Sequence, residues 1–358
     1  MQNGVIRVLV VGVGNMGLSH ALAYDKIEGF EVVGLCSRSI RGRNDLPAEL
    51  ASLPRYEKVD EALAEARPDA VSINTYPNTH EEFCIKAFDA GCHVFVEKPL
   101  ATTVEGAQAV VDKARETGKK LVIGYILRVH PAWQEFIERA RTLGKPLVMR
   151  MNLNQQSRGP AWNWHRNLMD SLTPIVDCGV HYVDVMCQMT GAQPVRVHGI
   201  GAQLSDQTKV QNYGHLHVEF DDGSVGWYEA GWGPMMSEVA FFVKDVVGPK
   251  GCVSIVMPQE GQDHAASDDI DSHTKTNALL CHSSEIDEAN NFVHEDQWVD
   301  MADEPTHQEL CDREQAFLLK AIREDLDLSE HMDSAVNSLR IVIAADESIK
   351  RREVVHLG

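Results

Sequence analysis

The 358-residue sequence has no long apolar run and no two cysteines in C-x-x-C spacing. No stretch approaches the roughly 20 apolar residues that a membrane-spanning helix needs. The N-terminal run VIRVLVVGVG is broken by Arg7 and by glycines, so it is typical of a strand rather than of a secretory signal. The eight cysteines are scattered through apolar contexts, which suits free thiols in a reducing compartment. These features predict a cytoplasmic protein without a membrane segment.

Basic residues are also scarce. There are 33 Lys and Arg against 53 Asp and Glu, which gives a formal net charge of -20. Binding to nucleic acid or to an anionic membrane needs basic patches, so neither is an expected partner. We interpret the acidic excess as a contribution to solubility rather than as a sign of a cationic substrate.

The first third of the chain alternates short apolar runs with helical patterns. The runs VIRVLVVG, FEVVGLC, DAVSINT, CHVFVE and KKLVIGY lie within residues 5–125, and the stretches between them repeat apolar residues at three-to-four spacing. Strands that alternate with helices predict a doubly wound parallel sheet, as in a Rossmann domain. We therefore predict an α/β dinucleotide-binding domain over residues 1–127.

The pattern changes after about residue 128. One helix is expected at 131–144, and then strand-like runs follow one another, with a hairpin signal in the DDG of 221–223. We predict an α+β domain over 128–358 with a large open, mostly antiparallel sheet. Residues 259–304 are acidic and weakly patterned, so we expect a surface excursion there. Two helices are predicted to close the chain, roughly at 307–324 and 332–350.

A glycine-rich loop follows the first predicted strand. In VGVGNMG, a turn at Gly12, close backbone approach at Gly14 and tight helix packing at Gly17 are what a pyrophosphate site requires. Asn15 and Met16 open the following helix, whose N-terminus would face the phosphates. A plain turn is the alternative interpretation, but the strand–loop–helix context favours a dinucleotide.

The end of the second predicted strand bears on the choice of dinucleotide. An NAD site usually has a carboxylate there for the ribose hydroxyl, whereas this chain has Ser37 and Arg38, and its first carboxylate is Asp45. A hydroxyl and a guanidinium suit a 2'-phosphate. NADP is therefore the predicted cofactor. NAD is the alternative if Arg38 is only a solvated loop residue.

Lys98 follows the fourth predicted strand, and Pro99 restricts the backbone after it. Ligands of parallel sheets bind at the carboxyl ends of the strands, so Lys98 is expected at the reactive edge. A lysine in a partly dry site can exchange protons near neutral pH. The alternative is a solvated lysine that merely ends a strand.

A second group of polar residues lies at 171–191. Asp177, His181 and Asp184 are spaced four and three apart, so they share one face of an otherwise apolar helix. A histidine beside a carboxylate is the usual acid/base pair. A structurally satisfied histidine is the alternative. A metal set could also be drawn, but it lacks structural-zinc spacing, and we predict no metal; its members would be Asp177, Cys178, His181, His215 and His217.

These motifs together resemble the glucose-fructose oxidoreductase / inositol dehydrogenase / MocA oxidoreductases. The marks are VGVGNMG at 11–17, NTYPNTH at 74–80, VEKPLATT at 96–103, and Asp177-x-x-x-His181-x-x-Asp184. The resemblance covers most of the chain. It implies hydride transfer between NAD(P) and a ring hydroxyl or ketone of a sugar, sugar derivative or cyclitol. It also implies a homodimer or homotetramer formed through the C-terminal sheet.

The resemblance also implies roles for particular residues. Lys98 would position the reacting oxygen and share in proton transfer, and His181, with Asp177 beside it, would be the main acid/base. The residues implied on the cofactor side are Thr75, Pro77, Asn78, His80 and Glu97, together with Lys98 itself.

Other candidates for substrate contact lie near these motifs. Aromatic faces stack on sugar rings, so Trp162 and Trp164 are candidates, and Arg158 or His165 could bind an acidic substituent. A packed, cross-subunit loop is an equal alternative for this segment. Tyr125 and Arg128 fall where the two predicted domains join and are further candidates. The turn DSLTPIV departs from the glycine-rich turn of many family members, so the pocket entrance is expected to differ.

Two other functions share these signals. A non-catalytic dinucleotide-binding regulator would be expected to lack the lysine or the Asp-His pair, and this chain has both. An NAD-dependent glycosidase of the same fold would keep its cofactor bound and show no net reduction of it. The prediction is therefore a dehydrogenase or reductase that acts on CH–OH groups.

Overall fold

The chain folds into two compact units in a computed structural model. The residues that it describes are 4–237, 243–256, 274, 276–301 and 304–358. The first unit comprises Met1–Ile126 and Gln308–Val336, and the second comprises Leu127–His307 and Asn337–Gly358. The unit boundary after Ile126 falls close to the predicted one. Residues 308–336 cluster with the first unit, whereas the predicted boundaries assigned them to the C-terminal domain.

A six-stranded parallel sheet forms the centre of the first unit. Its strands are β1 (Ile6–Val11), β2 (Phe30–Cys36), β3 (Arg55–Tyr56), β4 (Ala70–Ile73), β5 (His93–Glu97) and β6 (Leu121–Gly124). They lie in the order β3-β2-β1-β4-β5-β6. The helices of the alternation are α1 (Asn15–Lys26), α2 (Val59–Ala66), α3 (His80–Asp89) and α4 (Val104–Thr117). The predicted doubly wound sheet is confirmed. The short β3 escaped the sequence analysis, so the predicted fourth strand is β5.

The ends of α4 illustrate why these elements form where they do. The hydroxyl of Thr103 accepts a hydrogen bond from the Gly106 N–H at 3.0 Å and so caps the helix start. Gly118 ends the helix with a φ of 64°, a left-handed conformation that costs glycine little. The interior strand β5 is buried along most of its length because helices cover both faces of a parallel sheet.

The second unit is built on a nine-stranded sheet. Its strands are β7 (Val148–Gln156), β8 (Pro194–Ala202), β9 (Tyr213–Phe220), β10 (Val225–Gly233), β11 (Lys244–Gly248), β12 (Gly251–Val256), β13 (Ala278–Ser283), β14 (Gln297–Asp300) and β15 (Val355–His356). They lie in the order β14-β13-β12-β11-β7-β10-β9-β8-β15. The pair β10 and β7 is parallel, and the other described pairs are antiparallel. The predicted mostly antiparallel sheet is therefore confirmed.

Helices complete the two units. They are α5 (Pro131–Thr142), α6 (Gly159–Leu168), α7 (Pro174–Asp177), α8 (Gly179–Thr190), α9 (His307–Arg323) and α10 (Ser329–Arg351). The two predicted closing helices match α9 and α10. The predicted 221–223 hairpin joins β9 to β10, with Gly223 at a φ of 81°.

The surface excursion predicted for 259–304 is wrong for part of its length. β13 and β14 lie within it, because the ladder to β12 fixes a segment whose local pattern is weak. Residues 259–273, 275, 302 and 303 of the predicted excursion lie outside the described residues.

Candidate active site

The strands of the first unit end in one row of paired residues. The parallel register joins Val11 of β1 to Ile73 of β4, and Ile73 to Val96 of β5. The residues that follow this row are Gly12, Asn74 and Glu97. Because neighbouring strands lie about 4.8 Å apart, the turn after β5 lies about 10 Å from the glycine loop along this edge. This carboxyl edge is where ligands bind in doubly wound sheets.

The glycine loop leaves β1 by a turn that needs glycine. Gly12 has a φ of 86°, and a Cβ there would lie 2.4 Å from the Asn74 carbonyl oxygen. A Cβ at Gly17 would lie 1.8 Å from the Gly12 oxygen, so the helix packs directly against the turn. The sequence predicted both of these roles.

Gly14 and the start of α1 form an open surface. Among the described residues, no heavy atom lies within 4 Å of a Cβ built at Gly14. Asn15 is exposed and Met16 is half-buried, and no described side chain caps the helix start. The first-turn amides therefore point their partial positive charge at open space, which fits the pyrophosphate of a dinucleotide.

The residues after β2 bear on the ribose. Ser37 is half-buried and Arg38 is exposed directly beyond the strand. Asp45, the first carboxylate after the strand, is held by Arg43 through two hydrogen bonds of 2.8 and 2.7 Å. The Arg43 guanidinium also donates to the Val13 carbonyl in the glycine loop. The hydrogen bonds from Arg43 lower the pKa of Asp45, so the Asp45 carboxylate already has a cationic partner.

A buried histidine, His80, contacts the loop after β4 through its ring nitrogens. His80 has no exposed surface, and its ring nitrogens lie 2.8 Å from the Pro99 carbonyl oxygen and 3.0 Å from that of Thr75. Burial lowers the pKa of His80, so the neutral ring donates its single N–H to one of the two. Pro77 is buried and Asn78 is exposed. His80 therefore ties this loop to the turn after Lys98, and any part it plays at a cofactor is through the loop.

At the end of β5, two hydrogen bonds fix the carboxylate of Glu97, the residue before Lys98. The Oε2 atom of Glu97 accepts the Lys98 backbone N–H at 3.1 Å, and its Oε1 atom lies 2.8 Å from Nε2 of His20. Burial raises the pKa of Glu97, but the hydrogen bond from His20 and the nearby positive charge outweigh it, and the net pKa is lowered. Glu97 is therefore an ionised, buried group. Lys98 itself is half-buried, and its peptide bond to Pro99 is cis.

In the second unit, Asp177 and His181 lie on consecutive helices. Asp177 ends α7 and His181 is in the first turn of α8, with Cys178 in right-handed helical conformation between them. The single helix predicted for this segment is therefore divided into two at Cys178, between Asp177 and His181. Asp177 is buried, with the Cys178 sulfur 3.7 Å from Oδ2, and His181 is half-buried.

Arg128, a predicted substrate contact, has a structural partner in the second unit. Its guanidinium donates to Asp184 through hydrogen bonds of 2.8 and 2.5 Å, and Gln188 donates to the same carboxylate at 2.8 Å. Asp184 is only 1% exposed, so it needs this cation. The predicted substrate contact of Arg128 stays a prediction. In the first unit, Tyr125 is buried, 2% exposed, directly after β6.

The aromatic segment of α6 also packs inward. Trp162 is 8% exposed and donates its Nε1–H to Gln207 at 3.1 Å. His165 is buried against Trp232, with ring centroids 4.4 Å apart and an interplanar angle of 8°. Trp164 is 50% exposed, and its ring centroid lies 5.0 Å from that of His165. Trp162 and His165 are thus buried in the second unit, and their predicted contacts with substrate stay predictions.

Several buried polar residues escaped the sequence analysis, among them His20, Gln315 and Lys244. His20 and Gln315 are wholly buried in the first unit, and Lys244 is 2% exposed in the second. Lys244 donates to the Asn152 carbonyl at 2.7 Å, and burial lowers its pKa to about 7. The available signal was weak: each is a polar residue at an apolar position of an otherwise regular helix or strand.

Possible metal ligands come together at one place in the part of the chain that the structure describes. One group of three has ligand atoms within 4.8 Å of one another, and it consists of His20, Cys311 and Glu314. The alternative metal set considered from the sequence does not form such a group there. No helix formed by the described residues is both long and apolar enough to cross a membrane.

Comparison with known families decides the relationship. Residues 6–125 match the model of an oxidoreductase family with an NAD-binding Rossmann fold, and residues 134–252 match the GFO/IDH/MocA C-terminal domain. The chain belongs to the GFO/IDH/MocA oxidoreductase family. The fold and the family resemblance predicted from the sequence are therefore confirmed.

Relatives with known activities include two bacterial dehydrogenases. The scyllo-inositol 2-dehydrogenase (NAD(+)) of Bacillus subtilis is 30% identical over 234 residues, 63% of this chain and 67% of the relative. The UDP-N-acetylglucosamine 3-dehydrogenase of Acidithiobacillus ferrooxidans is 34% identical over 203 residues, 56% of this chain and 60% of the relative.

Solved structures extend the comparison over the whole chain. GenD2 from gentamicin A biosynthesis, in complex with NAD, has a TM-score of 0.75 and 22% identity, covering 100% of this chain and 98% of GenD2. An oxidoreductase domain protein from Kribbella flavida has a TM-score of 0.79 and 18% identity, covering 99% of this chain and 100% of that one. At these identities the likeness establishes the fold.

Proposed function

We propose that the protein transfers a hydride between NADP(H), or NAD(H), and a ring hydroxyl or ketone of a sugar, sugar derivative or cyclitol. The observation that carries the proposal is the row at the carboxyl edge of the first sheet. It places the glycine loop after β1 and the Glu97–Lys98 turn after β5 along one edge, about two strand spacings, or ~10 Å, apart. A dinucleotide anchored by its pyrophosphate can reach that far with its nicotinamide.

The cofactor is proposed to bind along this edge. The open surface at Gly14 and the first-turn amides of Asn15 and Met16 would hold the pyrophosphate. Thr75 and Asn78, which keep some exposure in the loop after β4, would flank the ribose and nicotinamide. When bound, the nicotinamide ring supplies the hydride acceptor or donor that amino-acid side chains lack.

Three residues are proposed to handle the substrate oxygen and its proton. Lys98 would hold the reacting oxygen and share in proton transfer. His181 would be the main general base for alcohol oxidation and the general acid for ketone reduction, and its half-buried position, which leaves part of the residue accessible, supports this role. Asp177, buried four residues before it, would orient and charge the imidazole.

NADP is proposed as the preferred dinucleotide. Arg38 is exposed immediately after β2, where a 2'-phosphate would lie, and Ser37 precedes it. The nearest following carboxylate, Asp45, is occupied by Arg43, so it is poorly placed to bind a ribose hydroxyl. NAD remains the competing assignment, since a curated relative is named for NAD(+).

A homo-oligomer formed through the nine-stranded sheet is also proposed. Val225 and Val247 both pair with Val148 across three neighbouring strands, and all three valines are exposed, from 37% to 42%. An apolar row of this kind favours burial against another copy. The eight cysteines are all free thiols, which supports the proposed cytoplasmic location.

A substrate panel tests the proposal. The purified protein is assayed at 340 nm with NAD⁺ and with NADP⁺, against myo-inositol, scyllo-inositol, D-glucose, methyl glucosides, UDP-N-acetylglucosamine and sugar acids. We expect net cofactor reduction with at least one compound. Release of a glycoside's leaving group without net reduction would instead identify a glycosidase. Cofactor binding with neither reaction across the panel would support a regulator.

A further inference from the structure

A line of hydrogen bonds runs from α9 to the backbone of Lys98 within the first unit. The Gln315 amide donates to Nδ1 of His20 at 2.9 Å, and Nε2 of His20 donates to Oε1 of Glu97 at 2.8 Å. Oε2 of Glu97 accepts the Lys98 N–H at 3.1 Å. Gln315 and His20 have no exposed surface, so water cannot replace these partners.

The direction of the line fixes the state of each group. Because Nδ1 accepts from Gln315, the ring proton is on Nε2 and points at the carboxylate. The ring of His20 also packs on Phe95 of β5, with centroids 4.7 Å apart, which holds its plane. Each oxygen of Glu97 therefore has its own donor: the Nε2–H of His20 for Oε1, and the backbone N–H of Lys98 for Oε2.

A second buried carboxyl group lies beside this line. Both oxygens of Glu314 are buried, and neither has a hydrogen-bond partner among the described residues. Burial and the nearby charge of Glu97 raise the pKa of Glu314 well above its ordinary value. Glu314 is therefore a neutral acid, and Glu97 is the charged member of the pair. The groups that face Glu97 are His20, Lys98, His80, Cys311 and Glu314.

The same cluster does not favour a metal. His20, Cys311 and Glu314 have ligand atoms within 4.8 Å of one another. However, both ring nitrogens of His20 are already in hydrogen bonds, to Gln315 and Glu97. That leaves two side chains, fewer than the three or four protein ligands of zinc sites.

We propose that His20, held by Gln315, is a positioning residue for Lys98: it fixes the carboxylate of Glu97, which in turn fixes the backbone turn from which Lys98 leaves β5. The inference rests on the proposed catalytic role of Lys98. Without His20, the carboxylate keeps only the Lys98 N–H as a donor on this line. The carboxylate of Glu97 then rotates or takes up a proton. As a result, the backbone turn that carries Lys98 is no longer fixed, and the lysine loses a neighbouring negative charge.

Four variants separate positioning from packing. His20→Leu removes both hydrogen bonds and keeps an apolar side chain against Phe95. His20→Gln restores a donor toward Glu97. Gln315→Met removes only the outer hydrogen bond. His93→Leu is the matched control, because His93 lies at the other end of β5 and accepts the Lys120 N–H at 2.9 Å, far from the turn.

The first measurement uses turnover of the fastest substrate in the panel. We expect His20→Leu to lower kcat about 10- to 100-fold, the scale for displacing a catalytic group. Its NADPH and NADH dissociation constants, from nucleotide fluorescence, should stay within about threefold, since α1 keeps its N-terminus. The acidic limb of its kcat profile should move to higher pH, because Glu97 becomes harder to ionise. His20→Gln should regain most of the rate, and His93→Leu should keep it.

The second measurement needs no substrate. Acetylation of Lys98 by acetic anhydride is followed by peptide mass spectrometry over pH 6–10, with Lys209, whose side chain is 82% exposed, as internal reference. Loss of a fixed Glu97 charge should leave more of the Lys98 amine neutral. Its labelling near pH 8 should rise about threefold or more in His20→Leu, and less in Gln315→Met, with Lys209 unchanged.

The outcomes are decisive in either direction. A wild-type pH profile and wild-type Lys98 labelling in His20→Leu would overturn the inference, as would an equal loss of kcat in His93→Leu. One equivalent of zinc in the purified protein would also overturn it. If His20→Leu fails to fold, Gln315→Met must show the same shifts at smaller size. Lys98→Met, run in parallel, separates the two levels: a fully active Lys98→Met refutes the proposed function, whereas an inactive one beside an unaffected His20→Leu refutes only the positioning role.

Discussion

Arg128 and Asp184 form a two-bonded ion pair in the second unit, with N···O distances of 2.8 and 2.5 Å. The carboxylate is 1% exposed, and the guanidinium side chain is 17% exposed. The pair therefore compensates a buried charge, and Gln188 adds a third donor. An arginine so engaged has a structural role as the partner of Asp184 in α8, whether or not it also contacts a substrate.

Removal of Arg128 should therefore act on stability. We expect Arg128→Leu to lower the free energy of unfolding by about 3 kcal/mol or more, because it leaves the buried Asp184 unpaired. The double variant Arg128→Leu/Asp184→Leu should recover much of this loss. Urea unfolding followed by circular dichroism measures both. If Arg128→Leu is as stable as wild type and has a raised KM, the result would instead support the predicted substrate contact of Arg128.

Glu314 should make stability fall as pH rises. The folded chain keeps a proton that the unfolded chain releases above the ordinary glutamate pKa, so raising the pH favours unfolding, by at most about 1.4 kcal/mol per pH unit. Glu314→Gln removes this term and should be more stable than wild type, increasingly so from pH 5.5 to 8. Urea midpoints across that range test it, with the exposed Glu57→Gln as control. A constant difference with pH would contradict the neutral state of Glu314.

Lys244 should have the opposite effect. Burial lowers its pKa to about 7, whereas the unfolded chain holds the proton to about 10.4, so stability should rise with pH between these values. Lys244→Met, which keeps the chain length and its packing against Tyr182, should be most stabilising at pH 7 and below. The gain should vanish near pH 10. The control is Lys250→Met, which replaces an exposed lysine in the turn between β11 and β12. If stability depends on pH equally in wild type and Lys244→Met, the assignment is refuted.

The fold was predictable where local signals agree with one another. The glycines of 12–17, the alternation of strands and helices to residue 124, and the capped helix at 104–117 are each specified within a short window. β13 and β14 were not, because their strand conformation comes from pairing with β12 rather than from their own pattern. The assignment of 308–336 to the first unit also depends on contacts between residues far apart in sequence, such as Gln315 with His20.

The candidate site was predictable in residue type more than in arrangement. The chemistry of Lys98, Asp177 and His181 follows from their motifs. The sequence could not tell that Arg128 is taken by Asp184, or that His165 stacks on Trp232, because both partners are distant in sequence. The same limit hid His20 and Gln315, whose function depends on Glu97 nearly 80 residues from His20.

Arg38 should decide the choice of dinucleotide. If it binds a 2'-phosphate, Arg38→Ala loses charge-assisted hydrogen bonds worth about 1.5–3 kcal/mol, which is a 10- to 100-fold weaker affinity for NADPH. The affinity for NADH should change little. Nucleotide fluorescence titrations measure both, and Arg41→Ala, an exposed arginine three residues on and 3.7 Å from Glu61, is the control. Equal effects on the two nucleotides would refute the preference for NADP.

Lys98 and His181 should each be needed for turnover but not for cofactor binding. Loss of a proton-transfer group typically costs 100- to 10,000-fold, so we expect Lys98→Met and His181→Ala to lower kcat by at least ~100-fold on the best panel substrate. Both should bind NADPH or NADH nearly as wild type does, because the glycine loop and the start of α1 are untouched. Lys209→Met and His294→Ala, which remove exposed side chains, are the matched controls.

Lys98→Met and His181→Ala should also differ in the pH dependence of kcat. If His181 moves the proton and Lys98 only holds the oxygen, His181→Ala loses the limb of the kcat profile near the imidazole pKa, whereas Lys98→Met retains that limb at a lower rate. Near-wild-type rates in both variants would remove the chemical basis of the proposed function.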